Sequence, residues 1–193
     1  MNKKPMETRT LTGMAIFTAI VVVLQLLGAF IKFGPFSISL TLVPIVVGAA
    51  IYGWGAGAWL GFVFSFVVLL TDSAAFMVVN APATILVVLV KGTAAGLCAG
   101  LVYKALAKVN DWLAVICAAI VCPVVNTGLF VVGCELFFMP TISEWAAAAG
   151  FPSAGNFLIF GMIGINFLAE LVINIVLSPV IVRLIKIGKK ENR

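Results

Sequence analysis

The sequence predicts an all-α integral membrane protein, a single bundle of about six transmembrane helices that takes in residues 1–193 as one domain, with the N and C termini cytoplasmic. Three observations predict this. Of 193 residues, 63% are hydrophobic and 10% charged, whereas soluble domains run near 45–50% apolar and about 25% charged. The mean hydropathy is +1.24, and the apolar residues fall in runs near the roughly 20 residues that a hydrocarbon core of about 30 Å requires. Finally, Lys and Arg gather at alternate ends of those runs, as they do on the cytoplasmic side of membrane proteins.

The first helix is predicted over 11–31. It follows Lys3, Lys4 and Arg9, as a signal peptide's apolar region would, but it exceeds the roughly 7–15 residues of such a region and no small-residue cleavage site precedes Lys32. It is therefore read as a helix of the mature protein. The second and third, 37–52 and 56–70, are short, with Gly53, Trp54 and Gly55 as the link between them. Such a pair must tilt, or end partway across where other helices cover the backbone. The fourth, fifth and sixth are placed at 82–103, 112–138 and 157–187. The long connections 71–81 and 139–156 then lie outside. The second of these holds Pro140, Glu144, Trp145, an alanine run and Phe151-Pro152; it either covers an outward-facing pocket or is an interfacial loop with no ligand.

Orientation follows from the bases. Lys3, Lys4, Arg9, Lys104, Lys108, Arg183, Lys186, Lys189, Lys190 and Arg193 are ten of the 12 Lys and Arg, and all lie inside if the N-terminus does. The outer segments then carry Lys32 with Asp72, Glu135 and Glu144 beside it. The inverse topology would place ten bases outside, against the positive-inside rule. Tyr52, Trp54, Tyr103 and Trp112 fall at the cytoplasmic interface, where amphipathic aromatics belong.

Composition also excludes function classes. There is no histidine, and Cys98, Cys117, Cys122 and Cys134 lie in apolar runs without metal-ligand spacing, so they read as small buried hydrophobes and no metal or cofactor site is expected. The net charge of +5 sits at helix ends, a topology signal that gives no reason to expect a nucleic-acid partner. No phosphate loop, paired-Asp phosphotransferase motif or nucleophile with its base is present. An ATP-driven process involving this chain must have its ATPase on another subunit.

Small residues recur at every fourth position at Ala15 and Ala19, at Gly53, Gly57 and Gly61, and at Gly92, Gly96 and Gly100. This spacing aligns them on one helix face and lets two backbones approach closely in lipid. The glycine stripes are read as internal packing. The Ala15–Ala19 stripe lies in the cytoplasmic half of the first helix, where an external partner reaches it.

Ionisable residues within a span are costly unless paired or wet. Lys91 and Glu170 come to similar depth on the fourth and sixth helices; Asn166, Glu170 and Asn174 follow one another at spacing four on one face, and Asn126 reaches a similar depth on the fifth. Two readings stand together, an ion pair pinning two helices and the floor of a polar substrate pocket. Nearer the outside lie Lys32, Asp72, Asn80 and Trp145 as further candidate ligand contacts. Asn80 has an alternative, because Asn before Ala81-Pro82 is a good N-cap for the fourth helix.

Taken together, the stretches 8–25 with Ala15 and Ala19, 33–70 (FGPFSISLTLVPIVVGAAIYGWGAGAWLGFVFSFVVLL), 80–104 with KGTAAGLCAG, and 164–184 resemble the substrate-binding S subunits of energy-coupling factor (ECF) vitamin transporters, closest to the riboflavin, folate and pantothenate group. The resemblance implies six helices, a multi-pass location in the cell membrane and a high-affinity vitamin-binding role. It also implies a separate membrane coupling subunit that docks on Ala15 and Ala19, two ATPase subunits, and a substrate site toward the outside under the loops after helices one, three and five. Lys32 and Lys91 suit an anionic ligand such as pantothenate or folate, unless Glu170 already neutralises Lys91. A structural assembly subunit and a small membrane enzyme remain as alternatives, the second disfavoured by the lack of His and the seven acids.

Overall fold

A computed structural model describes residues 8–30, 32–33, 36–37 and 40–191. Within them the chain runs α1 (Thr8–Gly28), a two-stranded hairpin β1 (Lys32–Phe33) and β2 (Phe36–Ser37), α2 (Leu42–Tyr52), α3 (Trp54–Thr71), α4 (Ala74–Leu106), α5 (Asp111–Phe137), α6 (Met139–Ala148), α7 (Ala154–Asn156), a π-helical turn (Phe157–Ile163), α8 (Gly164–Val176) and α9 (Ser178–Glu191). The strands pair antiparallel, Lys32 opposite Ser37 and Phe33 opposite Phe36.

Among the described residues four helices, α1, α3, α4 and α5, are long and apolar enough to cross a membrane. A bent pair, Ala154–Ile163 and Asn166–Val176, inclined by 42° to each other, meets the same measure when the two are taken together as one broken span. The second expected helix starts at Leu42, five residues later than its hydrophobicity suggests, because Phe36 and Ser37 belong to the hairpin. At 11 residues and about 1.5 Å per residue, α2 falls well short of the core thickness. It is instead buried on nearly all sides, from Leu42 and Pro44 through Ala50, so neighbouring helices shield its backbone from lipid. The third helix reaches 18 residues because Trp54, Gly55 and Thr71 join it. Gly53 alone makes the link, with φ 96°, a left-handed conformation that favours glycine.

The predicted outer connections are largely helical. α4 begins at Ala74 and passes through a break at Asn80, whose φ −155° and ψ 89° are extended. Its side-chain Oδ1 accepts the backbone N–H of Ala83 at 3.2 Å, so Asn80 caps the main segment and Pro82 sits in its first turn, where the missing donor costs nothing. The segment after α5 folds as α6, packing Ile142 and Ala146 inward. The sixth helix is not continuous. It bends through the π turn and breaks again at Leu177, ahead of Ser178 and Pro179. Tyr103, expected in an interfacial belt, is only 4% exposed and packs in the core, while Trp54 and Trp112 are about half exposed at 47% and 46%.

The glycine stripes set the closest packing. Gly57 faces Gly96 and Gly61 faces Gly92 across α3 and α4, while Gly100 faces Trp54; a Cβ on any of them would meet the facing backbone. The main core gathers Val21, Leu42, Ile45, Leu60, Phe64, Ala95, Ala99, Ala118 and Ile181. A second cluster, toward α6, gathers Phe76, Cys134, Phe138, Ile142, Leu158 and Met162. Large apolar side chains such as Ile16, Phe66, Leu86, Val132 and Leu168 remain exposed on the outside, as lipid-facing positions do.

Candidate functional site

Between the two clusters lies a cavity of about 520 Å³, counting its open mouth. Every long helix contributes to its wall: Gln25 from α1, Phe64 and Val68 from α3 with Asp72 at its end, Lys91 from α4, Asn126, Thr127 and Phe130 from α5, and Met162, Ile163, Asn166, Phe167 and Glu170 from the bent last span. The lining has the character of small-molecule sites, aromatic and aliphatic walls with a few convergent polar groups.

Of the eight expected contacts, five meet here: Asp72, Lys91, Asn126, Asn166 and Glu170. Spacing four puts Asn166, Glu170 and Asn174 on the inward face, at 6%, 5% and 1% exposure. Asn174 lies beyond the cavity lining; its Nδ2 donates to the Glu170 carbonyl at 2.8 Å, and Ser178 Oγ donates to the Asn174 carbonyl at 2.9 Å. These bonds tie the Glu170 turn to the start of α9. The π turn, a feature frequent at functional sites, carries Met162 and Ile163 into the wall. Asn126 is buried, and among the described residues its Oδ1 has no hydrogen-bond partner. A buried amide oxygen left open costs stability and retains its capacity to accept a hydrogen bond.

Three charged residues, Asp72, Lys91 and Glu170, line the cavity. The Lys91 ammonium lies 5.0 Å from the centroid of the Phe130 ring and shares the cavity with the carboxylates of Glu170 and Asp72. Asp72 is held in place: Gln25 Nε2 donates to its Oδ2 at 3.3 Å and Thr71 Oγ1 donates to the same oxygen at 2.9 Å. Gln25, fully buried, is oriented in turn by Thr41 Oγ1, which donates to its Oε1 at 3.3 Å.

Three expected contacts lie elsewhere. Asn80 is exposed and spends its side chain on capping. Trp145 packs against Phe76, centroids 5.4 Å apart, in the second cluster rather than on the cavity wall. Lys32 is placed by its backbone in β1, and its side chain lies outside the described residues. Conversely, sequence reasoning passed over Gln25, Thr127 and Phe130. Gln25 had a detectable signal, an amide within an apolar helix; Phe130 had none.

A second, smaller cavity adjoins the first. Val68, Asp72, Lys91 and Phe130 line both, and Ser73, Phe76, Thr84, Val87, Val88 and Phe138 complete the second. On the opposite flank, Ala15 and Ala19 are exposed and line an open groove between α1 and α3 with Leu11, Met14, Tyr52 and Trp59. Trp59 Nε1 donates to Thr18 Oγ1 at 3.1 Å across it.

Two comparisons bear on this geometry. The family model described as ECF transporter, substrate-specific component, matches residues 9–182. The pantothenic acid transporter PanT of Lactococcus lactis subsp. cremoris (strain MG1363) is 29% identical over 187 residues, covering 88% of this chain and 89% of that protein.

Proposed function

The chain belongs to the family of ECF transporter substrate-specific components, and from that premise we propose that its central cavity binds pantothenate or a closely related hydroxylated carboxylate. As such a component it is a multi-pass cell-membrane protein that binds the substrate of an importer. A separate coupling subunit and ATPases supply the drive.

The observation that carries the ligand reading is the pairing, in one cavity, of a single described cation, Lys91, with amides that can address a donor, Asn126 and Asn166. Pantothenate offers a carboxylate at one end and an amide and two hydroxyls along the rest. Lys91 pairs with the carboxylate, and the open Asn126 Oδ1 accepts from a hydroxyl or amide N–H. The Gln25–Asp72 network supplies a fixed acceptor at the α3 end. The pantothenic acid transporter among its relatives supports the same ligand. Lys32, in the hairpin after α1, is the further candidate for the anion.

The groove at Ala15 and Ala19 is the proposed seat of the coupling subunit, since small exposed residues on a helix admit close approach of a partner helix. The test is uptake of radiolabelled pantothenate in cells lacking their own carrier. Accumulation should require this chain, a coupling subunit and ATPases together. Accumulation of a different vitamin, with none of pantothenate, would overturn the ligand assignment.

A further inference from the structure

Phe130 stands where the two cavities meet, on the wall they share with Lys91. The 5.0 Å between the Lys91 ammonium and the ring centroid is within the roughly 6 Å over which a ring face attracts a cation. The ring is braced from behind. Phe76 meets it edge-on, centroids 5.8 Å apart and planes at 84°, and Phe76 is itself held by Phe138 at 4.9 Å and Trp145 at 5.4 Å. Phe76 and Phe138 are 5% and 2% exposed, so an aromatic stack runs from α6 to the cavity wall.

A lysine ammonium is a point charge on a flexible four-carbon stem. With Glu170 and Asp72 on the same cavity, it has carboxylates to swing toward, and a cation neutralised by a carboxylate is a poor receptor for a ligand anion. A ring face attracts the ammonium without taking its N–H donors, because it carries a quadrupole and no lone pair directed as a carboxylate's is. The ring therefore fixes where the charge sits while leaving its donors to a ligand.

We propose that Phe130 is the positioning residue that gives the cavity its preference for an anionic ligand, by holding the Lys91 ammonium at the junction of the two cavities against the Phe76, Phe138 and Trp145 stack. The role rests on the ligand reading above.

The experiment titrates pantothenate, and its analogue with a primary hydroxyl in place of the carboxylate, into purified wild type, Phe130→Leu and Phe130→Tyr in detergent. Phe130→Leu should weaken the carboxylate at least tenfold and the alcohol less than threefold, and Phe130→Tyr should keep both near wild type. Equal losses for the two ligands, which a packing role alone would give, overturn the proposal, as does no loss for either. Phe130→Met, flexible but without a ring, carries the same expectations if the leucine variant does not survive purification. If wild type binds neither compound, the ligand reading falls, and the positioning role is decided by thermal unfolding of ligand-free Lys91→Met, Phe130→Leu and the double variant. Non-additive effects uphold the Lys91–Phe130 coupling, and strictly additive effects overturn it.

Discussion

Two glycine-to-alanine substitutions, identical in chemistry, should move stability in opposite directions. At Gly96, on α4, an added Cβ would stand 2.7 Å from the carbonyl carbon of Gly57 on α3 and closer still to its oxygen, against 3.4 Å or more for ordinary contact. The obstacle is backbone, so no side chain can rotate away and α3 and α4 must separate along their interface. Overpacking typically costs about 1–3 kcal/mol, and the rigid partner puts this case at the upper end. Alanine returns roughly 0.5–1 kcal/mol of helix propensity, leaving a net loss of about 2 kcal/mol for Gly96→Ala. At Gly128, on α5, an added Cβ meets nothing within 4 Å, so Gly128→Ala keeps the propensity gain alone and should be neutral or up to about 1 kcal/mol more stable. Unfolding of both variants in detergent micelles, followed by circular dichroism, reads the difference. A Gly96→Ala protein as stable as wild type, or two shifts of the same sign, would refute the close-packed α3–α4 arrangement on which the cavity wall depends.

Lys91 and Glu170 line one cavity; if Glu170 rather than the Phe130 ring holds the ammonium in the ligand-free protein, removing either charge should destabilise it by about 3–5 kcal/mol. The double change Lys91→Met with Glu170→Leu should recover much of that, and a double variant no more stable than the worse single would show by thermal unfolding that the two are not partners. Ala15→Trp should abolish uptake while ligand binding by the isolated chain stays within threefold of wild type; loss of binding would make the stripe internal packing rather than a docking face. Cysteine introduced at Ser153 should react with an impermeant reagent added to whole cells and one at Lys108 should not, both positions being exposed. The reverse labelling pattern would invert the topology.

What could be read from the sequence was contrast. Lys91, Asn126, Asn166 and Glu170 stand out because an ionisable or amide side chain inside an apolar run must turn away from lipid, and the structure brings all four to one cavity. Glycines at spacing four likewise read as internal packing, and the structure seats them against one another across α3 and α4. Phe130, Val68 and Met162 line the same cavity yet carry no such contrast in a chain that is 63% hydrophobic. Trp145 and Asn80 have the opposite problem. Their chemistry suits a ligand, but local geometry claims them first, Trp145 for the Phe76 cluster and Asn80 for a helix cap. Helix ends were least legible in the segment before α2, where apolar and hydroxyl residues alternate from Phe36 to Leu42, a strand-like pattern taken for the start of a helix; Phe36 and Ser37 pair back on β1. The bend at the π turn was hidden because hydropathy records that a segment is in the membrane and not whether its axis bends, whereas the break at Leu177 had a visible signal in Pro179.

Calorimetric titration of pantothenate into the purified chain, alongside Lys91→Met, tests the central claim most directly. The account predicts saturable binding of one equivalent by the wild type and at least a tenfold weaker interaction, about 1.4 kcal/mol, for the variant. A wild-type protein that does not bind pantothenate, or a Lys91→Met protein that binds it as tightly as wild type, would contradict it.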